Sequence, residues 1–158
     1  MLERQAYQDV FNLLRWSLQA LDDGRPHLSI TSIFLIRLYQ RLGYCPELSG
    51  CTVCYSSFTT SRNFSFHHAS GGLVCERCSS QIIENCSALT LGTIRLLQSV
   101  IEEPLERLNR LHFSQVATQQ SLHMLHRYGR NLFQREIQSW KALRRTLLTS
   151  RHRTSTAG

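Results

Sequence analysis

A mostly α-helical bundle interrupted by a small, cysteine-rich β insert is the fold class this sequence predicts, and three observations predict it. Apolar residues recur in steps of three and four in the first forty and the last seventy residues, all six cysteines fall between residues 44 and 86, and no apolar run is long enough to cross a membrane. The longest such run, Ile33-Phe34-Leu35-Ile36, stops at Arg37, far short of the ~18 residues of a span. The chain has 158 residues, 42% of them hydrophobic, which suits one compact unit or one core with a small satellite. A chain of this length removes roughly 68–70% of its unfolded surface from water and needs no disulfide framework.

From Leu2 to Leu21, Tyr7, Val10, Phe11, Leu14, Leu18 and Leu21 make one face of a helix. Asp22-Asp23-Gly24-Arg25-Pro26 breaks it. A second helix is expected from about Ser29 to Leu42, apolar on more than one side and therefore buried, with Gly43 as its stop. Residues 44–86 are loop-rich. Within them Asn63-Phe64-Ser65-Phe66-His67 alternates in polarity and Gly71-Gly72-Leu73-Val74 follows a short polar link, the pattern of a β-hairpin. Helical periodicity returns at Leu89, Leu91, Ile94, Leu97 and Ile101, and Pro104 should start a new helix or kink the old one. The last periodic run, Leu122, Leu125, Leu132, Ile137, Trp140, Leu143 and Leu147, predicts one long helix in which Gly129 is a weak point. The organisation is thus a helical part at 1–43, an insert at 44–86, a helical part with a C-terminal helix at 87–150, and a disordered tail at 151–158.

Cys51-Thr52-Val53-Cys54 and Cys75-Glu76-Arg77-Cys78 are two C-x2-C pairs separated by twenty residues, the spacing of a four-cysteine zinc site. Each two-residue knuckle lets both thiolates point at one ion, and two knuckles complete a tetrahedron. The expected fold class is therefore a helical bundle with an inserted four-cysteine zinc ribbon, whose single structural Zn2+ is held by Cys51, Cys54, Cys75 and Cys78. Four thiolates leave no open coordination position for water, so the metal is not catalytic. A redox pair would need a βαβ setting that is absent, and iron–sulfur spacings differ. Cys45 and Cys86 are left as small apolar residues, and His67 and His68 as turn residues. The pattern G-x-S-x-G, the phosphate loop and H-E-x-x-H are all missing, and no H-x-E element accompanies a P-C-x-x-C. His123 and His126 share a helix face without a nucleophile or carboxylate at recognisable spacing, so the chain is expected not to be an enzyme.

The formal net charge is +7, and it is unevenly placed. Residues 1–106 carry eight Arg or Lys against ten acids, a balance of −2, whereas residues 107–158 carry ten against Glu136 alone, a balance of +9. Such a face concentrates polyanions. On one helix Arg127, Arg130, Lys141 and Arg145, with Arg144 at the margin, would line an arc beside the apolar stripe, suited to tracking a phosphate backbone without reading base sequence. A solvated helix face is the alternative reading of the same residues. No compact apolar leader is present near the N-terminus, so a reducing cytoplasm is the expected compartment.

Leu42-Gly43-Tyr44 and Pro46-Glu47-Leu48 ahead of Cys51-x-x-Cys54, then Gly71-Gly72-Leu73-Val74-Cys75-x-x-Cys78, then a basic helical C-terminus, resemble the RecO recombination-mediator proteins of bacteria. The likeness spans essentially the whole chain as the middle and C-terminal part of that family, and the Gly-Gly-apolar-apolar-Cys-x-x-Cys element is its most specific piece. Tyr128 to Leu148 resembles the final helix more loosely. Two departures stand out. Tyr55 occupies a position where the family usually has glycine, and nothing before the first helix reads as the family's N-terminal OB-fold. The resemblance implies recombinational repair in the bacterial cytoplasm, near the nucleoid: binding of single- and double-stranded DNA, strand annealing, and loading of the recombinase with a RecR-like partner. It also implies a second possibility, a scaffold that docks the acidic tail of single-strand binding protein with little DNA binding of its own. No membrane and no small-molecule substrate enter either reading.

Overall fold

A computed structural model of the chain describes residues 2–57, 63–82, 84–134 and 139. Among the described residues, five α-helices and four strands follow in the order α1 (Leu2–Asp22), α2 (His27–Arg41), β1 (Glu47–Cys51), β2 (Phe64–His67), β3 (Gly72–Cys75), α3 (Glu76–Ser79), β4 (Cys86–Leu89), α4 (Leu91–Glu102) and α5 (Gln115–Phe133), with a 3-10 helix at Leu105–Arg110. The mostly helical class with a small sheet is as the sequence predicts.

The hairpin forms where alternation places it: Phe64 pairs with Cys75 and His67 with Gly72 across antiparallel β2 and β3. Its turn depends on Gly71, which takes φ +69°, a conformation costly to any residue with a Cβ. The hairpin is not alone, however. β1 joins parallel to β3 and β4 antiparallel to β2, giving a four-stranded sheet in the order β1-β3-β2-β4. β4 therefore takes Leu89 away from the helix expected there, and helical structure resumes only at Leu91. Thr90 ends the strand and caps α4, its side chain accepting from the Thr93 amide.

Helices and sheet share one apolar core. Ile33, Ile36 and Tyr39 of α2, Ile94, Leu97 and Val100 of α4, and Met124, Leu125 and Tyr128 of α5 belong to the same buried cluster as Phe66, Leu73 and Leu89 of the sheet. Polar ties reinforce it. Gln98 Nε2 donates to the Leu48 carbonyl at 2.7 Å, Asn131 Nδ2 to the His68 carbonyl at 3.1 Å, and Thr93 Oγ1 to Gln120 Oε1 at 2.7 Å. Arg37, which ends the apolar run in α2, is buried: its guanidinium donates to the carbonyls of Ile101 and Glu103 at the C-terminal end of α4, where helical carbonyls lack partners.

Three local expectations change. The apolar face of α1 is not the face that packs: Leu13, Ser17 and Ala20 are buried, whereas Tyr7, Phe11, Leu14, Leu18 and Leu21 are 40–78% exposed. Smaller residues on the adjacent arc let α1 approach α2 closely, and that contact outranks the greater hydrophobicity of the neighbouring stripe. Pro104 does start a new element, as allowed, but it is the 3-10 turn that ends at Arg110. The last helix begins seven residues earlier than Leu122, because Ser114 caps it by accepting from the Ala117 amide. It ends at Phe133, with Gln134 in the left-handed region at φ 49°, so the uninterrupted helix expected through residue 148 is broken there.

Candidate metal centre and basic helix

The first knuckle is built at the end of β1. Tyr55 N donates to the Cys51 carbonyl at 2.9 Å and Cys51 N to the Ser56 carbonyl at 3.0 Å, which folds residues 51–56 into a tight loop. Tyr55 achieves this at φ 59°. A glycine here, as the resemblance implies, would have a backbone cause, the left-handed conformation that Tyr55 must bear as strain. Thr52 anchors the loop to the sheet through its amide and hydroxyl, both donating to the Leu73 carbonyl. The second knuckle starts at the end of β3 and runs into α3, so Cys75 is delivered by a strand and Cys78 by the helical turn after it.

These elements bring the sulfurs of Cys51, Cys54, Cys75 and Cys78 within 4.8 Å of one another. All four are free thiols. The Cys54–Cys75 sulfur separation is 3.7 Å, close to the ~3.8 Å edge of a tetrahedron with metal–sulfur bonds near ~2.3 Å and far beyond the ~2.05 Å of a disulfide. The electrostatics suit a cation. Ser56, by its hydroxyl and then its amide, draws the Cys54 thiol down to about 6. Burial pushes the Cys51 thiol up, but backbone N–H groups of Cys54, Cys75 and Val53 outweigh it and the net shift is downward. Desolvation and three competing sulfurs push Cys78 up to about 12. Hydrogen-bond donors that favour thiolates at Cys51 and Cys54, and sulfurs crowded around Cys78, together make a site that a divalent cation stabilises. The donor set and its spacing therefore fit zinc.

The remaining candidates lie apart. His67 and His68 are not in the sulfur cluster. His67 closes strand β2 rather than lying in the turn, its Nδ1 2.9 Å from Ser70 Oγ, and His68 in the turn is a core residue, 2% exposed and bonded through Nε2 to Ser87 Oγ at 2.8 Å. Cys45 is exposed rather than buried, and Cys86 is half-buried with its thiol 3.4 Å from the Ile82 carbonyl. Arg127 and Arg130 stand on α5, half-buried and exposed respectively. Lys141, Arg144 and Arg145 lie outside the described residues. What sequence reasoning missed is the Ser87 contact that joins His68 to His123, whose Nδ1 is 3.5 Å from the same hydroxyl. Only the pairing of His67 with Cys86 across β2 and β4 makes it visible. No described helix is long and apolar enough to cross a membrane.

The fold and the site define a class: a mostly helical protein with a small sheet, a cluster of four cysteines and an arginine-bearing helix α5. The family described as Recombination protein O C terminal matches residues 1–141, and the chain belongs to it. It is 27% identical over 143 residues to a DNA repair protein RecO of Syntrophus aciditrophicus, covering 90% of this chain and 55% of that protein. It is 28% identical over 142 residues to the DNA repair protein RecO of Desulfosudis oleivorans, covering 86% and 55%, and 35% identical over 95 residues to that of Exiguobacterium sibiricum, covering 60% and 36%. The chain thus spans about half the length of the curated relatives it matches. No solved structure matches it.

Proposed function

We propose that the chain is a non-catalytic accessory of DNA repair and recombination in the bacterial cytoplasm, binding single- and double-stranded DNA through phosphates and assisting strand annealing and recombinase loading with a RecR-like partner. The observation that carries this reading is the family match over residues 1–141. The charge balance of +9 after residue 106 supports the DNA contact. In this reading Cys51, Cys54, Cys75 and Cys78 hold one Zn2+, which supplies folding energy to the sheet and takes no part in chemistry. Arg127 and Arg130 contact phosphate, and Lys141, Arg144 and Arg145 extend the contact. The test is a salt titration of fluorescent single-stranded DNA binding: each phosphate neutralised adds about −0.7 to the slope of log affinity on log salt, so Arg130→Ala should flatten it by a little under one unit. Wild-type affinity and slope in a folded Arg130→Ala and a folded Lys141→Ala/Arg145→Ala chain would overturn it.

A second reading rests on a separate cleft of about 500 Å³ between α1 and the 3-10 helix, lined by Asn12, Arg15, Trp16, Gln19, Leu105 and Glu106. Trp16 Nε1 is buried there without a hydrogen-bond partner, Trp16 and Leu105 supply apolar contact, and Arg15 supplies a cation opposite the acid Glu106. This is chemistry suited to an acidic, hydrophobic-ended peptide such as the tail of single-strand binding protein. Duplex DNA should compete with single strands for the basic helix but leave such a peptide in place.

A further inference from the structure

His123, Arg127 and Arg130 stand at i, i+4 and i+7 on α5, the spacing that sets three side chains in one row. At ~1.5 Å per residue the row is roughly 10 Å long, about three phosphates along one strand of a duplex. Its N-terminal end is fixed by Ser87 of β4, whose hydroxyl lies 2.8 Å from His68 Nε2 and 3.5 Å from His123 Nδ1. A hydroxyl carries one proton, so it donates to one ring and accepts from the other. In either arrangement His123 is held through Nδ1 and turns Nε2 away from Ser87 on an exposed ring.

The surroundings are cationic. Burial and then Arg127 hold His123 below its ordinary range, and His68 is depressed by burial, Arg127, His123 and His67 in that order. Around His123 the groups are Ser87 on β4, His68 at the hairpin turn and Arg127 on α5. Among the described residues, the charged groups that shift His68, His123 and Cys86 are Arg127 and neighbouring histidines. The arginines of the row raise the positive potential beside His123, and an anion laid along the row lowers it.

We infer that this row is a phosphate-backbone site for nucleic acid, in which Arg127 and Arg130 make permanent contacts and His123 adds one through Nε2 when its ring is doubly protonated, with Ser87 as a positioning residue. The inference rests on the DNA-binding reading above and adds a proton-dependent contact to it. A ring that is neutral in the free protein and charged against phosphate takes up a proton on binding, so affinity rises as pH falls through the histidine range.

The experiment is fluorescence anisotropy of a labelled single-stranded oligonucleotide with the full, zinc-loaded chain from about pH 8 to about pH 6. Wild type should tighten roughly three- to tenfold across that range, with a steeper salt slope at the acid end. His123→Gln should bind with a flat profile, Arg130→Ala should bind more weakly at every pH while keeping the profile, and Ser87→Ala should shallow it. Circular dichroism establishes that each variant is folded. A His123→Gln profile like that of wild type overturns the inference and leaves the DNA reading standing, whereas no oligonucleotide binding by wild type at any pH overturns both. Preference for phosphatidylglycerol vesicles over the oligonucleotide would reassign the site to lipid. Should His123→Gln fail to fold, the NMR titration of His123 in wild type decides, because its pKa must rise when the oligonucleotide is added.

Discussion

The hydroxyl of Tyr39 on α2 occupies the space that a side chain at Gly129 of α5 would need. It donates to the Leu125 carbonyl at 3.1 Å, and a Cβ on Gly129 would lie 2.2 Å from it. The glycine that reads in the sequence as a weak point of the helix is the place where two helices touch. Tyr39 is 1% exposed and its ring stands edge-on to Tyr128 at 5.7 Å, so it cannot swing aside.

Gly129→Ala should therefore destabilise the chain despite alanine's advantage of ~1 kcal/mol within a helix. Overpacking costs about 1–3 kcal/mol and wins where the neighbour is locked. Adding Tyr39→Phe removes the oxygen and leaves the ring carbon at 3.2 Å, so the double variant should be more stable than the sum of the two single effects. Urea denaturation of the four chains of the cycle measures that coupling.

On α1 the expected ranking inverts the hydrophobicity of the residues. Leu13→Ala, at a fully buried position, should cost about 2–5 kcal/mol. Phe11→Ser removes a larger apolar side chain that is 58% exposed and should change stability by no more than about 0.5 kcal/mol. Comparable losses from both substitutions in thermal melts would contradict the assignment of the packing face.

Which parts of this architecture a sequence can disclose follows from how local each signal is. The two knuckles and the alternating hairpin are written within a few residues of themselves, and the four cysteines come together as their spacing requires. β1 and β4 carry no such mark: Leu48-Ser49-Gly50 and Cys86-Ser87-Ala88 have low strand propensity, and they become strands because the hairpin offers them free edges. The burial of His68 is a property of tertiary contact with Ser87 and α5. The packing face of α1 is not legible because periodicity locates a stripe but does not say which neighbouring arc meets the core.

Removing the metal should disturb more than the insert. Structural zinc contributes apparent binding energies of about 10–16 kcal/mol in small modules, and the sheet that a zinc on these cysteines would staple shares its core with α2, α4 and α5. Elemental analysis should find one zinc per chain, and Cys75→Ser should abolish it. Chelation should remove the sheet and lower the melting temperature of the remaining helices.

Tyr55 offers the opposite sign. It is 87% exposed and at φ 59°, so its ring contributes little packing while its Cβ carries the ~1–2 kcal/mol penalty of the left-handed conformation. Tyr55→Gly should recover about 1 kcal/mol, less what glycine's extra freedom in the unfolded chain returns. A rise in the denaturation midpoint without a change in zinc content is the expected result.

His68 makes the chain acid-sensitive through a single buried ring. Burial, and then the positive charge of Arg127, hold it near a pKa of about 4 against 6.5 for the ordinary side chain. Its folded-state value is depressed, so the unfolded chain binds the proton first: the stability this neutral ring confers is present above pH 6.5 and is lost as pH falls toward 4. The full effect is a few kcal/mol at most, from a limiting value of about 1.4 kcal/mol per pH unit. His68→Gln keeps a partner for Ser87 and removes the titration. The chains should therefore converge in stability as pH falls from about 7 to about 5, whatever acid does to the thiolates common to both. A constant difference between them in urea midpoints over that range would show that His68 does not titrate with unfolding.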